Sequence, residues 1–117
     1  MYTLQNKHQL NSFVNSIREQ LIETYKFSPK SAKLKETLSR CLGFNSYADA
    51  ISKLPIDTEE FDYTFPQVFT KTLMRQPYGI RVELGVIKSI YESAVSNSAY
   101  WDDERFVNSI ISASECM

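Results

Sequence analysis

Residues 31–55, SAKLKETLSRCLGFNSYADAISKLP, decide the fold because they encode two short helices, the turn between them and the residue that ends them. Leu34, Leu38, Cys41 and Leu42 recur at helical spacing and share one face. Lys30, Lys33, Lys35 and Arg40 take the remaining arc. Gly43 stands where a helix end needs a left-handed residue, and Phe44 follows where an apolar contact back onto the helix is expected. Ser46 with Asp49 three residues later resembles a capping box, with Asp in place of the more usual Glu or Gln. Tyr47, Ala50, Ile51 and Leu54 then share one face of a second short helix, and Pro55 stops it. The stretch is a helical hairpin.

Toward the N-terminus, Leu10, Phe13, Val14, Ile17, Leu21 and Tyr25 fall three and four residues apart, which predicts an amphipathic helix of about six turns. Thr3 is expected to cap its start. Ser28 and Pro29 suit the N-cap and first position of the helix that follows. Toward the C-terminus, residues 56–65 are acidic and aromatic and read as a surface connection whose Phe61, Tyr63 and Phe65 tuck inward. Pro66 suits the first turn of a helix through Val68, Phe69, Leu73 and Met74, ending near Gln76 and Pro77. Tyr78 and Gly79 mark a break. Ile80, Val82 and Leu84 alternate as a strand would, whereas Val86, Ile87, Ile90, Tyr91, Ala94 and Val95 carry helical spacing. A lone strand has no evident partner, so a short extended stretch leading into a helix to about Ser96 is expected. Asn97 and Ser98 mark a loop, and a last helix is expected from about Asp102 to Ala113.

These elements predict an all-α chain, a compact bundle of five to six helices. The alternative is an α+β arrangement with one small hairpin between about 61 and 84. The 117 residues support one hydrophobic core, so residues 1–117 are expected to form a single domain. Its charge is unevenly spread. Residues 1–55 carry eight Lys or Arg against four acids, a balance of +4, and residues 56–117 carry five against ten, a balance of −5. Two cysteines, Cys41 and Cys116, are too few for a disulfide framework and read as reduced thiols. The first ten residues hold no apolar leader segment, and no window reaches the ~18 apolar residues a membrane span needs, so a cytoplasmic, non-membrane protein is expected.

The hairpin invites comparison with a DNA-reading helix-turn-helix. That pattern wants apolar residues where Asp49 and Ser52 stand, and the actual apolar face is Tyr47, Ala50, Ile51 and Leu54. A reading surface of Asn45, Asp49 and Ser52 would present an acid and no Arg. The string from Leu38 to Ala50, LSRCLGFNSYADA, instead resembles the L-x-x-x-L-G-(F/Y)-x-(S/T)-(Y/W) hairpin of uncharacterised proteins of bacterial plasmids, phages and integrated elements, some labelled glyoxalase-related. The resemblance covers about 25 of the 117 residues. It implies a bacterial or mobile-element accessory protein. A glyoxalase-type fold would need repeated βαβββ units and a His and Glu metal site, so no activity, cofactor or metal is carried over to this chain with its single histidine.

The remaining chemistry-bearing residues have plain readings. His8 has no second histidine or cysteine at ligand spacing, which predicts an exposed side chain rather than a metal ligand. Cys41 lies on an apolar face with no histidine near it in sequence, which predicts a buried, inert thiol. Glu59 and Glu60, or Asp102 and Asp103, sit in a loop and a first helical turn, where solubility and the helix dipole account for them. Loop aromatics such as Tyr63, Phe65, Tyr78, Tyr100 and Trp101 read either as core plugs or as a contact patch. The candidate site is the basic cluster Lys26, Lys30, Lys33, Lys35 and Arg40, set to contact phosphates or an acidic partner from one exposed surface. The plainer alternatives are a solvated helix face, or pairing with the acidic turn from Asp57 to Asp62. No catalytic residues are expected, because nothing pairs a nucleophile with a base. The expected function is a non-catalytic interaction or regulatory module that presents a helical surface to a protein partner or to a second copy as a homodimer. The alternative is a nucleic-acid-associated protein using the Lys26 to Arg40 face.

Overall fold

Leu10, Phe13, Val14, Ile17 and Leu21 are all buried, as their spacing requires, and form the inner stripe of the 19-residue helix α1 (Lys7–Tyr25). The structure is a computed structural model and describes residues 2–76 and 78–101. The helix expected from Asp102 to Ala113, and Cys116, lie outside the described residues. Asn6, not Thr3, caps α1: its side-chain oxygen accepts from the Gln9 backbone N–H at 2.9 Å. Thr3 is committed elsewhere, in the short strand β1 (Tyr2–Leu4). At the other end Lys26 adopts a left-handed conformation, φ 57°, and donates its backbone N–H to the Ile22 carbonyl.

The next helix, α2 (Ser31–Cys41), starts later than Ser28 and Pro29 imply. Residues 26–30 form no helix, and Arg18 reaches across from α1 to hold them, donating Nε to the Pro29 carbonyl at 2.8 Å. The glycine turn forms as the sequence requires. Phe44 N–H donates to the Ser39 carbonyl at 3.0 Å and Gly43 N–H to the Arg40 carbonyl at 2.9 Å, the paired bonds of a Schellman helix end. Gly43 has φ +90°, and a Cβ built there would meet nothing within 4 Å. Gly43→Ala therefore carries only the backbone cost. A loss of about 1 kcal/mol is expected, read as a lower urea midpoint with an unchanged slope.

Ser46 caps the short helix α3 (Tyr47–Ser52) by accepting from Asp49 N–H at 3.0 Å. The Asp49 carboxylate returns the contact one residue further out, accepting from Asn45 N–H rather than from Ser46. Ala50 is buried, and Tyr47, Ile51 and Leu54 pack against the core as their phase indicates.

Beyond Pro55 lies the strand β2 (Ile56–Asp57), then a 3-10 turn (Thr58–Phe61) and helix α4 (Thr64–Met74). Helix α5 (Leu84–Ser98) and strand β3 (Tyr100–Trp101) complete the described chain. The fold is a mostly helical bundle in which α1 packs most extensively on α5, α4 closes over α5, and α2 bridges α1, α3 and α4.

Among the described residues no strand lies between 61 and 84, so the alternative hairpin is absent. Ile80 and Val82 alternate in burial with Arg81 and Glu83 without pairing to any strand. Strand pairing occurs elsewhere, in a three-stranded sheet of order β2-β1-β3, with Thr3 opposite both Asp57 and Tyr100. Asn97 and Ser98 belong to α5 rather than to a loop.

Four aromatic rings fill the centre. Phe65 lies 4.7 Å from Tyr91, 5.4 Å from Phe69 and 5.9 Å from Phe13, centroid to centroid. The buried Tyr91 hydroxyl donates to the Thr58 carbonyl at 2.6 Å, which fastens α5 to the 3-10 turn. Burial, with Asp62 and Asp57 nearby, raises the pKa of that phenol. Of the three aromatics expected to tuck inward from residues 56–65, Phe65 is buried and Phe61 half-buried. Tyr63 is 77% exposed, because it immediately precedes α4 on the turn side while Phe65, two residues on, takes the inward position.

Candidate functional site

The face of α2 that carries Lys33, Thr37 and Arg40 repeats every three or four residues, and so does the face of α4 that carries Val68, Thr72 and Arg75. The two faces meet along an open groove of about 520 Å³. Its far wall is Tyr78, which arrives from the segment after α4. That segment folds back through Gly79 at φ +59°, with Gly79 N–H donating to the Arg75 carbonyl and Ile80 N–H to the Leu73 carbonyl.

Tyr78 is held from three sides. Its hydroxyl lies 2.6 Å from Thr37 Oγ1, its ring meets Phe27 edge-on at 5.8 Å, and Lys33 Nζ stands 5.1 Å above the ring centroid. The groove's charged lining is Lys33, Arg40 and Arg75 against Glu36 alone, an excess of two positive charges. Glu36 is already engaged, accepting the Tyr47 backbone N–H at 3.2 Å. A groove of this size with a few polar groups on a partly apolar surface has the character of a ligand or peptide site.

The five cations expected on one surface are thus divided. Lys33 and Arg40 line the groove and are exposed. Lys26 and Lys30 are exposed at the junction of α1 and α2 and cap those helices, the first at a C-terminus and the second at an N-terminus. Lys35 points the other way. A helix advances by ~100° per residue, so position 35 lies ~200° from position 33, and Lys35 Nζ instead sits 5.3 Å from the Tyr47 ring centroid. On that side Tyr47 donates its hydroxyl to Asn11 Oδ1, and burial raises its pKa.

Two of the α2 lysines are directed to aromatic rings, Lys33 to Tyr78 and Lys35 to Tyr47. Among the described residues, Lys53 shares a second pocket of about 270 Å³ with Asp57 and Glu60, and Lys88 acts on Asp62. The Asp62 carboxyl is held above its usual value by burial and by the surrounding Glu59, Glu92 and Asp57, with Lys88 partly offsetting them.

Arg75, Thr72 and Val68 are not candidates on sequence grounds, whereas Tyr78 is one of the loop aromatics read as a core plug or a contact patch. The signal was present in the 68, 72 and 75 spacing, on a flank of α4 roughly a quarter turn from the buried stripe of Phe65, Phe69 and Leu73. His8 is exposed, as expected. Among the described residues no three His, Cys, Asp or Glu side chains gather as a metal cluster would require, and no helix is long and apolar enough to cross a membrane.

Cys41 lies at the groove's inner edge, its Sγ 3.9 Å from Thr72 Oγ1. Burial pushes its pKa up to about 11, and the Thr72 contact opposes that only in part. A thiol held protonated is a poor nucleophile. In a Cys116→Ser background, labelling of Cys41 at pH 8 is therefore expected to be slow until the chain unfolds. The folded state also holds the thiol proton more tightly than the unfolded chain. Its stabilising contribution is complete below the ordinary thiol value of 9.0 and is lost as pH rises toward about 11.

No family model matches the chain, and no curated protein or solved structure matches it.

Proposed function

We propose that this chain is a small non-catalytic protein-interaction module and that the α2–α4 groove is its contact surface, receiving an acidic segment of a protein partner. The observation that carries this reading is the convergence of Lys33, Arg40 and Arg75 on an open groove that also offers half-exposed Val68 and the Tyr78 ring. Cations arranged this way raise the encounter rate with an acidic surface and select against basic ones. The apolar patch between them supplies the contact that charge alone does not, since exposed ion pairs contribute little individually.

Binding along a nucleic-acid backbone needs cations strung over several phosphates. The turn of Lys35 toward Tyr47 breaks such a row, which favours the protein partner over the nucleic acid. The hairpin resemblance adds a bacterial mobile-element setting to the proposal.

The test is a fluorescence-anisotropy titration with a labelled Glu- and Asp-rich peptide carrying one aromatic residue, set beside a Lys-rich control and a single-stranded oligonucleotide. Binding of the acidic peptide alone, weakening with salt, is the expected result. Binding of the oligonucleotide without the peptide would replace this reading with the nucleic-acid one.

A further inference from the structure

We infer that the acidic group received by the groove is a phosphoryl group, carried on a serine of the partner segment, an inference that rests on the groove being a contact surface for acidic groups.

The neutral hydrogens of the groove lining are already spent. Thr37 Oγ1 donates its hydrogen to the Lys33 carbonyl at 3.0 Å, so its 2.6 Å contact with Tyr78 is donated by the tyrosine hydroxyl. Thr72 Oγ1 donates to the Val68 carbonyl at 2.8 Å and accepts from Cys41 Sγ at 3.9 Å. No hydroxyl or thiol hydrogen of these four residues is left for a ligand. The donors that remain in the lining are the Lys33 ammonium, the Arg40 and Arg75 guanidinium groups and the Gln76 amide, all on exposed residues. A lining whose free hydrogens sit mainly on cations selects an anion rich in acceptors over a neutral sugar or amide.

Neither guanidinium is engaged elsewhere. Among the described residues Arg40 and Arg75 make no ion pair and no side-chain hydrogen bond, whereas Arg18 spends Nε on Pro29 and Nη2 on Ser28. Their placement follows from two contacts across the groove. Cys41 meets Thr72 and Thr37 meets Tyr78, so α2 runs back as the chain advances past α4, and the two walls are antiparallel. Arg40 adjoins Cys41, and Arg75 stands three residues beyond Thr72, which offsets the two arginines by roughly 5 Å of helical rise. Side chains of that length close on one anion from both walls.

Charge then separates the candidate anions. A carboxylate brings one charge and is satisfied by a single guanidinium fork, and each phosphodiester of a nucleic acid also brings only one. A phosphomonoester brings about −1.5 to −2 and three terminal oxygens, which matches the excess of two positive charges and the two free forks. The cations are exposed at the groove's rim, so the short stem of a phosphoserine reaches them. The rest of the segment lies on Val68 and the Tyr78 ring.

Fluorescence anisotropy on the full chain tests this with three labelled acidic peptides of one sequence, each carrying one aromatic residue and differing only in a central phosphoserine, Glu or Ala. The phosphoserine peptide is expected to bind about tenfold more tightly than the Glu peptide, or better. Arg40→Lys/Arg75→Lys keeps the net charge and replaces both forks by point charges, and is expected to cut that advantage to about threefold or less. Circular dichroism confirms that the variant folds. Equal affinity for the phosphoserine and Glu peptides overturns the inference and leaves the proposed function standing, and so does a phosphoserine preference untouched by the double variant. Inorganic phosphate that binds as tightly as the phosphoserine peptide also overturns it, because the groove would then hold a free anion. Binding of none of the three peptides ends both readings.

Discussion

Phe65→Ala is expected to remove about 3–5 kcal/mol of stability, most of the total for a chain near the low end of the 5–15 kcal/mol common to such domains. Phe65 is fully buried and is the one ring in contact with all three other members of the aromatic cluster. Truncation removes its transfer free energy and leaves a cavity bounded by Phe13, Phe69 and Tyr91. Those rings come from α1, α4 and α5, which are themselves packed together, so the space cannot close by a side-chain rotation. Urea unfolding followed by circular dichroism measures the effect as a lowered midpoint. Val68→Ala, three residues on and 44% exposed, is the control. A loss within about 0.5 kcal/mol is expected there, and an equal loss at both positions would show that Phe65 does not hold the centre.

The parts of this fold that were legible in the sequence are those fixed by neighbours along the chain. Gly43 and Phe44 specify their turn through bonds to Arg40 and Ser39, all within six residues, and the structure forms both. The buried stripe of α1 follows from spacing alone. Strand β1 was not legible for the opposite reason. It is three residues long, too short for an alternation to show, and its partners are Ile56–Asp57 and Tyr100–Trp101. Once residues 2–4 are committed to that sheet, Thr3 is unavailable as a cap and Asn6 takes its place.

The groove was half legible for a related reason. Lys33 and Arg40 could be picked out because they lie on one helix, whereas Arg75 and Tyr78 join them only through the packing of α4 on α2. Lys35 shows the reverse error. Its closeness in sequence suggested a shared surface, and the helical rotation of ~200° from Lys33 removes it from that surface.

That rotation makes the site testable by position rather than by net charge. Arg40→Glu/Arg75→Glu is expected to weaken binding of the acidic peptide about a hundredfold, equivalent to about 3 kcal/mol. Each reversal both removes an attraction and sets a like charge against the peptide, which costs more than deletion would. Both side chains are exposed, so the melting temperature is expected to stay within a few degrees. Lys26→Glu/Lys35→Glu changes the net charge of the chain by the same amount. Lys26 lies at the α1 end and Lys35 over Tyr47, neither lining the groove. If the groove is the contact surface, this second pair lowers affinity only by the weakened long-range attraction, a few-fold at low salt and less once the Debye length falls below ~10 Å. Equal losses in the two double variants would mean that the acidic peptide responds to the overall field of the N-terminal half, and the groove would then have no claim as the site.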